Sequence, residues 1–146
     1  MTTTVKSILQ QKGSQVWYVS PETTLLEALQ QMAEKNVGAL VVLDEDKKLV
    51  GILSERDYAR RGILQGRGPD TPVREMMTTQ VYYVTKEQTI DDCMSVMTDR
   101  KIRHLPVVED DQVVGIISIG DVVNCVIADQ EHLIKGLENY ITGTRA

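Results

Sequence analysis

The amino-acid sequence predicts an α/β (α+β) fold made of two β-α-β-β-α repeats that pack through their sheets about a pseudo-twofold axis. Three observations lead there. A short aliphatic run ends in Gly-Ile-x-Ser-x-x-Asp twice, from Leu49 to Asp57 (LVGILSERD) and from Val113 to Asp121 (VVGIISIGD). The stretches before these runs echo each other in order, with Val16/Val81, Glu22/Glu87, Thr24/Thr89 and Met32/Met97 identical. A unit of roughly 60 residues also buries too little surface to stand comfortably alone, so the two β-faces must cover one another. Residues 1–68 form the first repeat with an N-terminal segment, and residues 69–146 form the second with a C-terminal helix.

The first element is a short helix at Val5 to Leu9, echoed by Val73 to Met77, where Thr71-Pro72 supplies an N-cap and a proline at the first helical position. Next comes Val16-Trp17-Tyr18-Val19, a strand by its aromatic and β-branched content, with Val81-Tyr82-Tyr83-Val84 as its counterpart. Thr24 and Glu27 fit a capping box, and Leu25, Ala28, Leu29, Met32 and Ala33 follow at helical spacing. The second copy starts at Thr89, with Ile90, Cys93, Met94 and Met97 on the apolar face, so Cys93 reads as core. Ala39 to Leu43 and the Gly-Ile-x-Ser strand flank a polar turn, Asp44 to Lys48, and make a hairpin. Leu105 to Val108 does the same with one residue fewer in the turn. Gln65 to Asp70 is the linker, and an apolar-periodic helix runs from about Asp121 to Tyr140.

Each Gly-Ile-x-Ser-x-x-Asp reads as a strand running into a helix start, with Ser54 and Ser118 as N-caps and Asp57 and Asp121 three positions later. A serine at a helix start presents backbone N–H groups to a phosphate, but an aspartate there repels it. Two readings therefore remain. The pair caps the helix and nothing more, or the carboxylate accepts hydrogen bonds from the vicinal hydroxyls of a ribose. Both readings stay open on the residues alone.

Composition narrows the function classes. A net charge of −5 argues against a general nucleic-acid binder. The longest apolar runs fall far short of the roughly 20 residues that a spanning helix needs, and the N-terminus lacks a signal-peptide pattern, so the expectation is a cytoplasmic protein with no membrane partner. Cys93 and Cys125 form no metal or disulfide pattern. No Gly-rich phosphate loop or nucleophile–base set appears, and the expectation is that the chain is not an enzyme.

The paired Gly-Ile-x-Ser-x-x-Asp, the element order and Ile102-Arg103-His104-Leu105-Pro106-Val107 closely resemble the tandem CBS-domain, or Bateman, module, over about Val5 to Ala128. The resemblance implies a stand-alone regulatory CBS pair that binds an adenosine nucleotide in clefts between the repeats. AMP is the first choice for size, with ATP, ADP, NAD and S-adenosylmethionine behind. Carried over by position, it implies one cleft from Lys12, Trp17, Gly38, Arg103, His104, Ser118 and Asp121, and another from Thr78, Tyr82, Arg103, Ser54, Arg56 and Asp57. Trp17 and Tyr82 either stack on a base or simply pack. Arg103 and His104 face only Gly38 and Ala39 as counterparts, so the clefts should differ, the Ser118 cleft taking both cations and tightening on phosphate as His104 protonates near pH 6.5. The apolar-striped helices imply a homodimer, which would regulate a partner protein or serve as a ligand-free interaction scaffold.

Overall fold

The computed structural model describes residues 3–142, and it is a mixed α+β structure with two small sheets. Helix α1 (Val5–Lys12) is followed by β1 (Tyr18–Val19), α2 (Leu25–Lys35), β2 (Ala39–Leu43) and β3 (Leu49–Ser54). Strand β3 runs directly into a single helical turn, α3 (Glu55–Asp57), which widens into a π-helical stretch over Tyr58–Ile63. After a 3₁₀ turn at Val73–Glu75 come α4 (Ile90–Arg100), β4 (His104–Glu109), β5 (Gln112–Ser118) and α5 (Ile119–Thr142). The first sheet has the order β1-β2-β3, with β1 parallel and β3 antiparallel to β2; the second is the β4-β5 hairpin.

Several elements differ from those the sequence predicts. The strand at Val16 shrinks to Tyr18–Val19, and its counterpart at Val81 keeps only Val84, which exchanges two hydrogen bonds with β4 through Pro106 and Val108. Edge position explains both, since one neighbour fixes a strand less well than two. Val73 to Met77 forms a 3₁₀ turn rather than an α-helix, too short to close a regular turn before the backbone at Thr78 pairs with Ile52. At Thr24 the hydroxyl accepts from the N–H of Glu27 but the Glu27 carboxylate returns to the hydroxyl, whereas Thr89 and Asp92 form the full reciprocal box. The C-terminal helix begins at Ile119, directly after the capping serine.

Two separate cores hold the molecule, and each borrows the leading segment of the other half of the sequence. Leu25, Met32, Leu40, Val42 and Leu53 pack with Val73 and Met76, while Ile90, Met97, Leu105, Val107 and Ile117 pack with Val5, Ile8 and Leu9 of α1. The packing boundary therefore differs from the sequence boundary at residue 68. Backbone bonds seal the exchange symmetrically. Val5 and Lys6 donate to Gln88 and Lys86 at 2.8 and 3.0 Å, and Ile90 donates to Thr3 at 2.9 Å. Val73 and Arg74 donate to Thr23 and Pro21 at 2.7 and 2.9 Å, and Leu25 donates to Thr71 at 2.9 Å. Strand β2 alternates Leu40 and Val42 toward the first core with Ala39, Val41 and Leu43 on the opposite face, yet every one of these is buried. Helices cover only one face of such a sheet, so the other is covered by the second repeat.

The exchanged segments lie tight on the Gly-Ile-x-Ser strands. A Cβ on Gly51 would come within 2.6 Å of Met77 Sδ, and one on Gly115 within 2.7 Å of Leu9 Cδ2. Gly115→Ala should therefore lower stability by about 1–3 kcal/mol through overpacking, and adding Leu9→Ala should cost less than the sum of the two single changes. Urea denaturation measures both. A Gly115→Ala chain as stable as the parent would contradict the close approach.

Candidate functional site

The capping motif builds one wall of a cleft between the repeats. Ser54 Oγ accepts from the Asp57 N–H at 3.1 Å, and Asp57 Oδ2 accepts from both the N–H and the hydroxyl of Ser54 at 3.0 Å. The other carboxylate oxygen pairs with Arg61 at 2.9 Å, and Arg61 also donates to the Thr78 hydroxyl at 2.9 Å. Thr78 is held in turn by reciprocal backbone bonds with Ile52. A carboxylate has about four acceptor positions, so Asp57 keeps roughly one free.

Around this wall lies a cavity of about 410 Å³, within the range of small-molecule sites. Of the residues the sequence singles out, Gly38, Ser54, Arg56, Asp57, Thr78, Tyr82, Arg103 and His104 all line it. Its apolar lining comes from Ile52, Val81, Ile102 and Ile119. Arg60, Lys101 and Gln80 join them. Arg60 and Arg61 escaped the sequence reading, although their i+4 spacing from Arg56 and Asp57 was the available signal. Lys101 ends α4 in a left-handed conformation at φ 54°, and this tight stop sets Lys101 and Arg103 at the cavity edge. The side chains of Arg56, Arg60, Lys101 and Arg103 have no hydrogen-bond or ion-pair partner among the described residues. With Glu55 and Asp57 as the acidic residues of the lining, these four unpaired cations leave the cavity wall with an excess of positive charge.

Lys12, Trp17, Ser118 and Asp121 do not line this cavity. Lys12, Ser118 and Asp121 meet at the second motif, where Asp121 accepts from the Ser118 N–H at 2.8 Å and pairs with Lys12 at 2.7 Å. Trp17 packs against the first core under the Lys35 ammonium, 4.4 Å from the ring centre. Tyr82 sits likewise beneath Arg100, at 4.7 Å. Both rings thus have a packing role.

Arg103 and His104 stand on the wall of the Ser54 cleft. The reason is local. His104 pairs with Ser118 in the β4-β5 ladder, but its ring reaches across to Gly38, where a Cβ would meet it at 3.5 Å. Burial there lowers its pKa below the usual 6.5, with Lys12 and Arg103 acting in the same direction and Asp121 and Asp57 opposing. His104 therefore takes up its proton at lower pH than the 6.5 that the sequence suggests. Cys93 is buried and its thiol is pushed up to about 11, mainly by burial, so it is not an active nucleophile at neutral pH.

The CBS-domain family model matches residues 5–63 and again 73–128. The chain belongs to the CBS-domain family. It is 38% identical over 151 residues to the CBS domain-containing protein CBSX3, mitochondrial, of Arabidopsis thaliana, covering 97% of this chain and 73% of that one. A putative signal-transduction protein with CBS domains from Burkholderia ambifaria is 45% identical and superposes with a TM-score of 0.83, over 88% of this chain and 96% of that one. The CBS domain pair of protein MJ0100, solved with 5'-methylthioadenosine and S-adenosyl-L-methionine, superposes at 0.78 with 27% identity, over 88% and 99% of the two chains. Two CBS repeats in one chain and the cleft between them are thus features of this CBS pair. No helix among its described residues is long and apolar enough to cross a membrane.

The lowered pKa of His104 has a signed consequence for stability. The unfolded chain takes up a proton near pH 6.5 that the folded chain resists, so the contribution of His104 is complete above pH 6.5 and is lost as pH falls toward the folded value. Urea denaturation between pH 7.5 and 5 should show a loss of stability that is smaller in His104→Asn. Equal acid sensitivity of the two chains would place the ring in solvent.

Proposed function

We propose that this CBS pair is a non-catalytic sensor that binds an adenosine nucleotide in the Ser54–Asp57 cleft and passes its occupancy to a partner protein. The observation that carries this is the gathering of a capped carboxylate and four unpaired cations around one cavity, Arg56 and Arg60 on the Asp57 wall and Lys101 and Arg103 on the facing one. Asp57 takes a ribose hydroxyl in its remaining acceptor position, the apolar lining of Ile52, Val81, Ile102 and Ile119 receives the base, and the cations take the phosphate. AMP is the first candidate for size, with ADP, ATP and NAD as the other members of the class. The MJ0100 complex supports the adenosine part of this reading. The proposed setting is cytoplasmic, with neither nucleic acid nor membrane as a partner.

The chain is further proposed to act as a homodimer through α5. Val123, Ile127, Ile134, Leu137 and Ile141 recur at spacings of three, four and seven along this helix and are all exposed. A stripe of this length needs a cover, and a second copy supplies an equal one. Light scattering at micromolar concentration should give twice the chain mass, and Ile134→Glu with Leu137→Glu should give the monomer.

The nucleotide assignment is tested by titration calorimetry with AMP. Asp57→Ala should weaken AMP by about 1.5–3 kcal/mol, the range for a hydrogen bond to a charged group. A 2',3'-dideoxy analogue should bind the parent as weakly as it binds Asp57→Ala. If the parent holds the analogue as tightly as AMP, Asp57 is a helix cap and no more, and an empty-cleft scaffold becomes the better reading.

A further inference from the structure

The pseudo-twofold axis relates two Ser-x-x-Asp motifs, but their carboxylates are neutralised in different ways. Asp57 is paired by Arg61, one turn on in its own helix, which leaves the space in front of the carboxylate open to the cavity. The position equivalent to Arg61 in the second repeat is Cys125, which carries no charge. Asp121 is paired instead from outside, by Lys12 at the end of α1. The Lys12 ammonium lies 2.7 Å from Asp121 Oδ2 and 2.9 Å from the Ile116 carbonyl, so it is tied to both the helix start and the strand that precedes it. The pseudosymmetric counterpart of Lys12 is Gln80, which lines the open cavity and carries no charge.

We infer that Lys12 is the residue that makes this CBS pair a one-site receptor, its ammonium occupying at Asp121 the position that a ligand hydroxyl takes at Asp57. The inference rests on the nucleotide reading of the Ser54 cleft and goes beyond it, because it assigns a different state to the second motif. Two features agree. Lys12 arrives on the exchanged segment that also plugs Leu9 against Gly115, so its backbone is fixed at the place where it acts. The ion pair also balances Asp121 beside His104, whose pKa is lowered mainly by burial, with Lys12 and Arg103 lowering it further and Asp121 and Asp57 opposing. A ligand that needs Asp121 must break both ammonium contacts first, and should bind there at least about tenfold more weakly than at Asp57.

Calorimetric titration of the full chain with AMP decides it. The parent should bind one AMP per chain at micromolar concentration. Lys12→Gln, which copies the open side, should bind two, and Asp121→Ala added to Lys12→Gln should remove the second site and leave the first. Two equal sites in the parent, or one in Lys12→Gln, would overturn the inference and leave the nucleotide reading intact. A parent site lost in Lys12→Gln would make Lys12 a ligand contact and overturn it too. A parent that binds no adenosine nucleotide would overturn both. One readout needs no ligand: the His104 titration followed by NMR should move to higher pH in Lys12→Gln, since Asp121 loses its counter-cation, and an unmoved titration would show that the Lys12–Asp121 contact does not exist in solution.

Discussion

The exchange of leading segments between the two repeats is the constraint on which the rest of the molecule depends. Leu25 and Ile90 begin α2 and α4, and their N–H groups are among the donors that a helix cannot satisfy for itself. Each finds a carbonyl on the segment that precedes the other repeat. The same segments close the two cores, lie against Gly51 and Gly115, and end at the rims of the clefts with Lys12 on one side and Thr78 to Gln80 on the other. Fold and site are therefore one arrangement. Neither repeat has a complete core without the other's lead, and neither cleft has a complete rim.

That dependence explains what could be read from the sequence and what could not. The duplicated Gly-Ile-x-Ser-x-x-Asp, the helix start at Thr89 and the buried hairpins were legible, because capping chemistry and aliphatic runs act over a few residues. Eight of the twelve site residues named from the pattern meet in one cavity, since Ser54, Arg56 and Asp57 are fixed by a strand-to-helix junction and Arg103 by the stop of α4. The exchange was not legible. Nothing in Val5, Ile8 and Leu9 says which of two similar cores they enter, and that choice decides where Lys12 goes. The resemblance did group His104 with Gly38, and the ring crosses from its own hairpin to Gly38, where glycine leaves room.

Near-symmetry makes the remaining differences decisive. Gly38 and Arg103 hold equivalent places, each giving its carbonyl to the first N–H of the helix after the Ser strand, Glu55 at 3.0 Å and Ile119 at 2.8 Å. The backbones match at this junction, and the side chains around it distinguish the clefts. On one side Arg61 pairs its own helix's aspartate and frees the cavity; on the other Cys125 cannot, and a lysine from a distant segment does so. An ion pair with a third of the lysine exposed adds little stability, so its consequence lies in which groups it occupies rather than in holding the fold.

The cations around the open cavity also connect it to the rest of the chain. Arg56 and Arg60 follow β3 of the first repeat, whereas Lys101 and Arg103 precede β4 of the second, so like charges face each other across the gap. Mutual repulsion favours a wider cleft when it is empty, and an anion between the walls reverses the sign of that force. Ile119 lines the same cavity and is the first residue of the 24-residue α5, which carries the exposed apolar stripe from Val123 to Ile141. A helix of that length spans about 36 Å, so a tilt of about 5° at Ile119 displaces its far end by about 3 Å. On the proposed reading this is how occupancy leaves the cleft. The ligand draws the two repeats together at the root of α5, and the packed helix carries the change to the surface where a second chain or a regulated partner meets it.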